Sequence, residues 1–406
     1  MSRYINFLDL GAQPLANNYL KKKELNKKER KYRLKVGIDL DNKLVSINKP
    51  LSSKMMFNDN YPYRSSMSKT MIQSFKNLAK IIKKEFKPKK ILEIGSNDGS
   101  FIKNFSKKIT IGIEPCSNVE KITKKNGYDT YPDYWDKKTA KKILSKSGKI
   151  DLIYSANTIS HIEDLDEVFK SINILLKDNG IVILEDPSLL ECLKRNTYDQ
   201  FYNEHIYVFS LIGIENVLKK HNLKVFNVQN LKIHGGSNRY FIKKINHLTK
   251  INPSVKINRD KEIKYGLNKL SSYNSFAKRV QKSKKKLKDL FKMIKSKKKT
   301  VVGYGVTAKS TTILNYCKIG KNYISYFVDT TLDKQNKYTP GTKIPIYKYE
   351  SINNKDIDFI FLGAWNFKDE IFKKEKKFIK EGGKFIMHTP YPRIIWKIIN
   401  LNNIKN

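Results

Sequence analysis

The stretch ILEIGSNDGSF, residues 91–101, decides the fold. It opens with a short apolar run typical of a buried strand and continues through Gly95 and Gly99 toward a helical segment. Glycines at such a strand-to-helix turn let the backbone bend sharply and approach a ligand without a Cβ clash. The stretch therefore predicts a ligand-binding turn at the edge of a sheet, preceded by Glu93 and containing Asn97.

A second strand, IGIEP, ends in Glu114, nineteen residues after Gly95. An acid at this strand tip can accept hydrogen bonds from both hydroxyls of a ribose, as in folds that bind NAD or S-adenosylmethionine. The glycine spacing is G-x-x-x-G rather than G-x-G-x-x-G, so the tight turn for a pyrophosphate is missing. This favours S-adenosylmethionine, which has no phosphate, over NAD.

The residues that follow alternate between strand and helix patterns through KIDLIYSAN and GIVILEDP. Such alternation predicts a parallel, doubly wound sheet. The layout is that of a class I methyltransferase, a Rossmann-like α/β domain, and it places Asn157 and His161 near the cofactor edge. A histidine that only packs at the start of a helix is an equally good interpretation of His161.

Length and composition limit the class of protein. A chain of 406 residues exceeds one hydrophobic core, so two or three domains are expected. Charged residues make up 29% of the chain, no apolar run reaches the roughly 18 to 20 residues of a membrane span, and the N-terminal sequence has no secretory pattern. Three widely spaced cysteines disfavour a disulfide framework. These features predict a cytoplasmic protein without a membrane partner.

The formal net charge of +43 raises the question of nucleic acid as a partner. Lysines are spread along the whole chain, which indicates a compositional bias rather than a binding face. We therefore expect no nucleic-acid partner, and a surface that attracts small anionic substrates.

A second strand-loop-helix unit begins at GYGVTAKS, residues 303–310, after a Lys-rich amphipathic helix around 256–298. Ala308 stands where a dinucleotide motif has its third glycine, and Asp329 ends the next strand as a candidate ribose acid. The pattern predicts a C-terminal Rossmann-like α/β domain. The expected domains are 1–68, 69–245 and 246–406.

The stretch FYNEHIYVFS, residues 201–210, places two tyrosines, a glutamate and a histidine within six positions. Taken alone, it is most simply an amphipathic segment with Phe201 and Ile206 in the core and polar residues in solvent.

Motifs along nearly the whole chain change that interpretation. The chain resembles the nucleotide-sugar C-methyltransferases of deoxysugar pathways, in the order DLGAQPLANNYL, YPYRSS, LEIGSNDGSF, GIEPCSN, FYNEHIYVFS, HGGSNRYFI, GYGVTAKSTTILNYC, VDTTLDKQNKYTPGTKIPI and AWNFKDEI. The resemblance implies a small N-terminal domain, a central S-adenosylmethionine domain and a C-terminal α/β domain that helps to hold the nucleotide-sugar. It also implies methylation of carbon 3 of a nucleoside-diphosphate 4-keto-deoxysugar, for surface polysaccharide or glycoside synthesis.

The resemblance supplies roles for the candidate residues. His205 is the candidate base, although Glu204 could orient it or take the proton itself, and Tyr202 and Tyr63 could donate hydrogen bonds to the enolate oxygen. The remaining candidates are, for the cofactor, Glu93, Gly95, Asn97, Gly99, Glu114, Asn157 and His161, and, for the substrate, Tyr61, Ser65, Ser66, His234, Lys309 and Lys334. A monomer or a homodimer is expected.

The chain departs from the family in one respect. Family members usually carry zinc-binding cysteine pairs in the N-terminal domain, whereas the first cysteine here is Cys116. Where the second pair of cysteines would lie, this sequence has GIDLDNKLV, residues 37–45. No structural zinc or other metal is therefore expected.

Two other functions compete. A nucleic-acid methyltransferase would have an Asn/Asp-Pro-Pro-aromatic motif after the fourth strand or a catalytic cysteine, and the fourth strand instead ends in SANTISH. A non-catalytic nucleotide-sugar-binding relative would not need Tyr202, Glu204 and His205. Some other small-molecule methyltransferase also remains open, because all these enzymes share the cofactor core.

Overall fold

The computed structural model describes residues 3–352 and 356–396. Their contacts divide into two compact units, one made of residues 3–6, 36–192 and 204–272 and the other of residues 7–35, 193–203 and 273 onward. The division into three domains at 68 and 245 is not tested by these units and stays a prediction.

The strands of the described residues, in chain order, are β1 (Tyr4–Gln13), β2 (Tyr32–Asp39), β3 (Val45–Ile47), β4 (Ile91–Ile94), β5 (Thr110–Ile113), β6 (Asp129–Tyr131), β7 (Ile150–Ala156), β8 (Leu176–Pro187), β9 (Tyr207–Val208), β10 (Leu223–Leu231), β11 (Ser237–Lys244), β12 (Val301–Tyr304), β13 (Phe327–Asp329), β14 (Lys337–Tyr338), β15 (Pro345–Lys348), β16 (Phe359–Leu362), β17 (Lys384–Met387) and β18 (Arg393–Ile395). The helices are α1 (Ser53–Met56), α2 (Lys69–Ile81), α3 (Ser117–Lys125), α4 (Lys137–Ser147), α5 (Leu165–Leu175), α6 (Leu189–Lys194), α7 (Leu211–Lys220), α8 (Pro253–Tyr265), α9 (Leu270–Ser296), α10 (Ala308–Cys317), α11 (Lys368–Lys374) and α12 (Lys376–Lys380).

The first unit contains a seven-stranded sheet of order β10-β11-β8-β7-β4-β5-β6. The five strands from β8 to β6 pair in parallel, which confirms the predicted α/β fold. Strand β11 pairs antiparallel with both β8 and β10, a departure from a wholly parallel sheet. The reason is local: β10 and β11 are joined by a short connection through Gly235 and Gly236, and such a connection suits antiparallel neighbours.

Both faces of this sheet are buried. Along β8, Val182 and Leu184 belong to one hydrophobic cluster, while Ile181 and Ile183 belong to the other. Successive side chains of a strand point to opposite faces. The near-continuous apolar strands of the sequence therefore reflect a sheet covered by helices on both sides.

A small sheet has the order β1-β2-β3-β9. Val36, Ile38 and Ile47 on its strands are fully or almost fully buried. Strand β9 pairs antiparallel with β3, and the amide of Ile47 donates to the Ile206 carbonyl at 2.8 Å. This pairing fixes the backbone directly after His205.

The second unit contains another seven-stranded sheet, of order β14-β15-β13-β12-β16-β17-β18. Its central strands are parallel, and the edge strands β14 and β18 pair antiparallel. Helix α9 of this region buries the predicted stripe, which comprises Phe276, Val280, Leu287, Phe291 and Ile294. The second Rossmann-like α/β fold is thus confirmed.

Candidate active site

The first glycine loop joins β4 to the following helical turn. The amides of Gly95 and Ser96 both donate to the Ile113 carbonyl, at 2.8 and 2.9 Å, and Gly95 has a φ of +75°. A Cβ at Gly95 would overlap the Thr158 side chain, and one at Gly99, whose φ is +74°, would lie 3.0 Å from Thr123. These glycines are required by the packing of the loop itself, in addition to any approach of a ligand.

Glu114 lies at the tip of β5, 5% exposed. Its two carboxylate oxygens accept from the amides of Asn97 and Cys116, each at 2.9 Å. Burial raises the pKa of Glu114, and the hydrogen bonds from Cys116 and Asn97 oppose the rise. The acid is thus held against the glycine loop, in the position expected of a ribose acceptor.

Acidic groups surround this loop. Glu93 is 4% exposed, and its Oε2 has no hydrogen-bond partner within the described part of the chain. Burial raises the pKa of Glu93 well above its ordinary value, and the charges of Asp98 and Glu114 add to the rise. An unpartnered buried carboxyl oxygen beside two further acids fits the sulfonium and ammonium groups of S-adenosylmethionine. Glu93, Asp98 and Glu114 would hold this cofactor.

The segment before α2 contacts the same loop. The Ser65 amide donates to Asn97 Oδ1 at 2.9 Å, and the Ser66 amide donates to Asp98 Oδ2 at 3.0 Å. Asn97 Nδ2 in turn donates to the Tyr63 carbonyl at 3.2 Å. The structure thus brings the predicted substrate segment and the predicted cofactor loop together, with Tyr63 40% exposed.

The stretch 201–210 is more buried than an amphipathic surface segment would be. Phe201 and Ile206 are in the core, as expected, but Glu204 and His205 are also only 4% and 5% exposed. The Tyr61 hydroxyl donates to Glu204 Oε2 at 3.4 Å. Tyr202 is half-buried. A buried acid and imidazole at neighbouring positions form the candidate acid–base group.

His161 joins this group. Its ring stacks on the His205 ring with centroids 5.0 Å apart and on the Phe57 ring at 5.3 Å. Burial lowers the pKa of His161 to about 3. Its Nε2 has no hydrogen-bond partner among the residues described. His161 is thus a neutral ring packed against the candidate base, and its assignment to the cofactor stays a prediction.

Asn157 and His234 approach each other at the end of β7. Asn157 Nδ2 lies 3.5 Å from His234 Nε2, and the Asn157 amide donates to the Glu185 carbonyl at 2.7 Å. Both residues have a positive φ, +50° and +53°. The pair therefore links a predicted cofactor residue to a predicted substrate residue within the first unit.

The second glycine loop lies in the second unit. Asp329 accepts from the amides of Val306 and Thr331, each at 2.8 Å. Lys334 donates to the Val306 carbonyl at 2.7 Å, with its Nζ 3.6 Å from Asp329 Oδ2, and the Tyr19 hydroxyl donates to the same carbonyl at 3.2 Å. Lys309 is 7% exposed, with its Nζ 5.1 Å from the Trp365 ring centroid.

Sequence reasoning missed Asp186 and Ser160. Asp186 is 1% exposed and accepts from the Ser160 hydroxyl at 2.5 Å. Burial raises the pKa of Asp186 to about 7, with the nearby Glu185 charge adding to the rise and the Ser160 hydrogen bond opposing it. An acid in ILEDP, directly at the end of an apolar strand, was the available signal.

Three family models match the chain in succession. They are described as "Putative zinc binding domain" for residues 2–57, "Methyltransferase domain" for residues 63–228 and "C-methyltransferase C-terminal domain" for residues 232–390. This chain is an S-adenosylmethionine-dependent C-methyltransferase. The family resemblance of the sequence is confirmed at that level. The C-methyltransferase NovU of Streptomyces niveus is 28% identical to this methyltransferase over 397 residues, covering 97% of this chain and 94% of that one.

Solved structures of two S-adenosylmethionine-dependent methyltransferases are similar to parts of this C-methyltransferase. The one from Thermotoga maritima is 19% identical, with a TM-score of 0.32, and covers 42% of this chain and 87% of its own. The one from Clostridium acetobutylicum is 15% identical, with a TM-score of 0.33, and covers 43% of this chain and 92% of its own.

The segment matched by the zinc-binding model contains neither cysteine nor histidine. Across residues 3–352 and 356–396, no group of three or more His, Cys, Asp or Glu side chains is arranged to hold a metal ion. Over the same ranges, no helix is both long and apolar enough to cross a membrane.

Proposed function

We propose that this C-methyltransferase methylates carbon 3 of a nucleoside-diphosphate 4-keto-deoxysugar through an enolate. The observation that carries the proposal is the buried pair of Glu204 and His205, to which the half-buried Tyr61 donates a hydrogen bond at Glu204. Tyr61 belongs to the segment that contacts the cofactor loop. Methyl transfer to oxygen or nitrogen does not require removal of a carbon-bound proton, because those atoms attack the methyl group with a lone pair.

A carbon acceptor must first lose a proton. Carbon 3 of a 4-keto sugar lies next to the ketone, so removal of its proton gives an enolate whose carbon can attack a methyl group. S-adenosylmethionine supplies that electrophilic methyl. His205 is the proposed base, because an imidazole titrates near neutrality, and Glu204 either orients it or takes the proton.

The enolate oxygen needs hydrogen-bond donors, since negative charge develops there. Tyr63 and Tyr202 are proposed as these donors. Burial raises the pKa of Tyr63 to about 12, although its ring is partly exposed, so the phenol stays protonated at neutral pH. His161 is a neutral imidazole at neutral pH, because burial lowers its pKa to about 3, so one ring nitrogen carries the only N–H donor and the other is an acceptor.

The substrate contacts form the remainder of the proposal. Tyr61, Ser65, Ser66 and His234 bind the sugar, and Lys309 and Lys334 bind the diphosphate. The product serves surface polysaccharide or glycoside synthesis in the cytoplasm, and the enzyme acts as a monomer or a homodimer without nucleic acid.

The test is an NMR assay in deuterated buffer with S-adenosylmethionine and a panel of nucleoside-diphosphate 4-keto-deoxysugars. Exchange of the C3 proton followed by a carbon-bound methyl signal is the expected result. Exchange without methyl transfer would support a base that removes the C3 proton and would contradict this carbon as the methyl acceptor. Absence of both signals across the whole panel would overturn the proposed substrate class.

His205→Ala tests the base. We expect transfer to fall by about 10² to 10⁴-fold with cofactor affinity unchanged, because a general base contributes on that scale. His247→Ala is the matched control, because this half-buried histidine lies after β11 and bonds to Lys243 and Thr249. Unchanged turnover in His205→Ala would remove His205 from the mechanism.

A further inference from the structure

Asp186 is the penultimate residue of strand β8 inside the first unit, and the proposed chemistry does not use it. Its Oδ1 accepts from the Ser160 hydroxyl at 2.5 Å, and its Oδ2 has no hydrogen-bond partner among the described residues. Both residues are 1% exposed. The only hydrogen bond described for the Asp186 side chain therefore holds Ser160, and its structural effect depends on the segment that contains Ser160.

Ser160 is the middle residue of a short 3₁₀ turn, Ile159–His161. The turn carries His161, whose ring lies between Phe57 and His205 in a three-ring stack. The His161 carbonyl also accepts from the Ser53 hydroxyl at 3.2 Å. The position of the His161 ring therefore depends on the position of this one turn.

We propose that Asp186 is a positioning residue, which holds the Ser160 turn so that the His161 ring stays stacked on His205. Its action is indirect, through one hydrogen bond and one ring contact, and it touches neither substrate nor cofactor. The strand supplies the rigidity, since β8 is paired on both sides by β7 and β11.

The electrostatic surroundings suit this task. The charge that acts on Asp186 is that of Glu185 on the same strand, which is itself paired with Arg239. Asp186 in turn adds to the rise in the pKa of Tyr240 on β11. Burial raises the pKa of Asp186 to about 7, so that near neutrality much of it is a neutral acid that keeps an acceptor oxygen for Ser160. Neutral Asn can provide the same oxygen.

The first test needs no substrate. Histidine ring signals of the whole, ¹⁵N-labelled protein are followed by NMR between about pH 5 and about pH 8, around the ordinary histidine pKa of about 6.5. In the wild type, His161 is expected to show no titration. In Ser160→Ala and Asp186→Ala the turn relaxes, water reaches the ring, and its pKa is expected to rise from about 3 into the measured range, toward the ordinary value of about 6.5.

Three further variants make the test specific. Asp186→Asn should behave like the wild type, because it keeps the acceptor, and the double Ser160→Ala/Asp186→Ala variant should add nothing to either single change. Ser171→Ala is the matched control, a buried serine whose hydroxyl has no hydrogen-bond partner among the described residues. If His161 showed no titration in Ser160→Ala, as in the wild type, the proposal would be overturned. An Asp186→Asn variant that behaves like Asp186→Ala would also overturn it.

The second test rests on the proposed function. With an accepted keto-sugar, Ser160→Ala should lower kcat by about tenfold with the KM for substrate and the cofactor affinity unchanged, because misplacing a catalytic group costs rate rather than binding. An unchanged kcat would contradict a role in the reaction. If the wild type turned over no panel member, the proposed function would fail, and the ring titration would still decide this inference.

Discussion

The two glycine loops of this methyltransferase share one backbone design. In each, a parallel strand runs into a glycine of φ +75°, Gly95 or Gly305, and the next strand ends in an acid. Glu114 accepts from two backbone amides at 2.9 Å, and Asp329 accepts from two at 2.8 Å. The acid in each case braces the loop that it faces.

The charges around the two loops differ. Glu114 has Glu93 and Asp98 near it, and its pKa is raised, whereas Asp329 has Lys334 at 3.6 Å and the Tyr19 hydroxyl on the same loop carbonyl. The acidic surroundings of the first loop thus suit a cationic ligand, whereas at the second loop the Lys334 ammonium group already lies beside the acid. The strand, glycine and acid are common to both loops, while the charges around the acid differ, so we expect the two loops to bind different ligands.

The largest effect is expected from the glycines. Gly95→Ala and Gly305→Ala should each lower the free energy of unfolding by roughly 2 to 5 kcal/mol, because alanine is strained at a positive φ and its Cβ would overlap Thr158 or lie 2.5 Å from the Ala364 Cβ. Only Gly95→Ala should also lose cofactor binding. Urea unfolding and calorimetric titration measure the two properties.

Gly382→Ala is the control for backbone strain, since its φ is +91° and no atom lies within 4 Å of the position that an alanine Cβ would take. It should cost about 1 to 2 kcal/mol. Loss of cofactor binding in Gly305→Ala would contradict the prediction that only the first loop binds the cofactor.

The acids should separate the loops by ligand. Glu114→Gln is expected to weaken S-adenosylmethionine binding by about 10 to 100-fold, because a hydrogen bond to a charged group contributes roughly 1.5 to 3 kcal/mol. Asp329→Asn should leave this affinity unchanged. Equal losses in the two variants, measured by calorimetry, would show that the second acid also serves the cofactor.

Lys334→Met tests the charge at the second loop. The side chains of Lys334 and Asp329 are 12% and 8% exposed, so removal of the lysine leaves a poorly solvated carboxylate and should lower the unfolding free energy by about 1 to 2 kcal/mol. Combined with Asp329→Asn, the loss should be smaller than the sum. Additive losses would mean that the two residues act independently. Weaker nucleoside-diphosphate binding in Lys334→Met is expected from the proposed diphosphate contact.

The smallest effect is expected from pH. Since the folded pKa of Glu114 is raised, its contribution to stability is fully present below the ordinary value of about 4.5 and is lost as pH rises through the raised pKa. Cofactor affinity should change in the opposite sense and fall as pH falls through that pKa. Binding and urea unfolding measured across this pH range check the two trends. A Glu114→Gln variant with the wild-type pH profile would assign the effect to another group.

The sequence predicted what depends on neighbours along the chain. Strand β4 follows from an apolar run that ends in glycine, and the buried stripe of α9 follows from its helical spacing. It did not predict that Tyr61 reaches Glu204, 143 residues away, or that Asp186 meets Ser160. Those contacts depend on which strands pair and in what register, and the antiparallel insertion of β11 was not visible in the apolar pattern.

The state of the thiols has a practical consequence. All three cysteines of the chain are buried, and burial raises the pKa of Cys116 and brings that of Cys317 to about 12. Because the thiolate is the reactive form, the native protein should be almost silent to maleimide reagents. Single cysteines introduced at exposed Leu248 and Leu332, one in each unit, would therefore accept a pair of spectroscopic labels and report the distance between the units in solution.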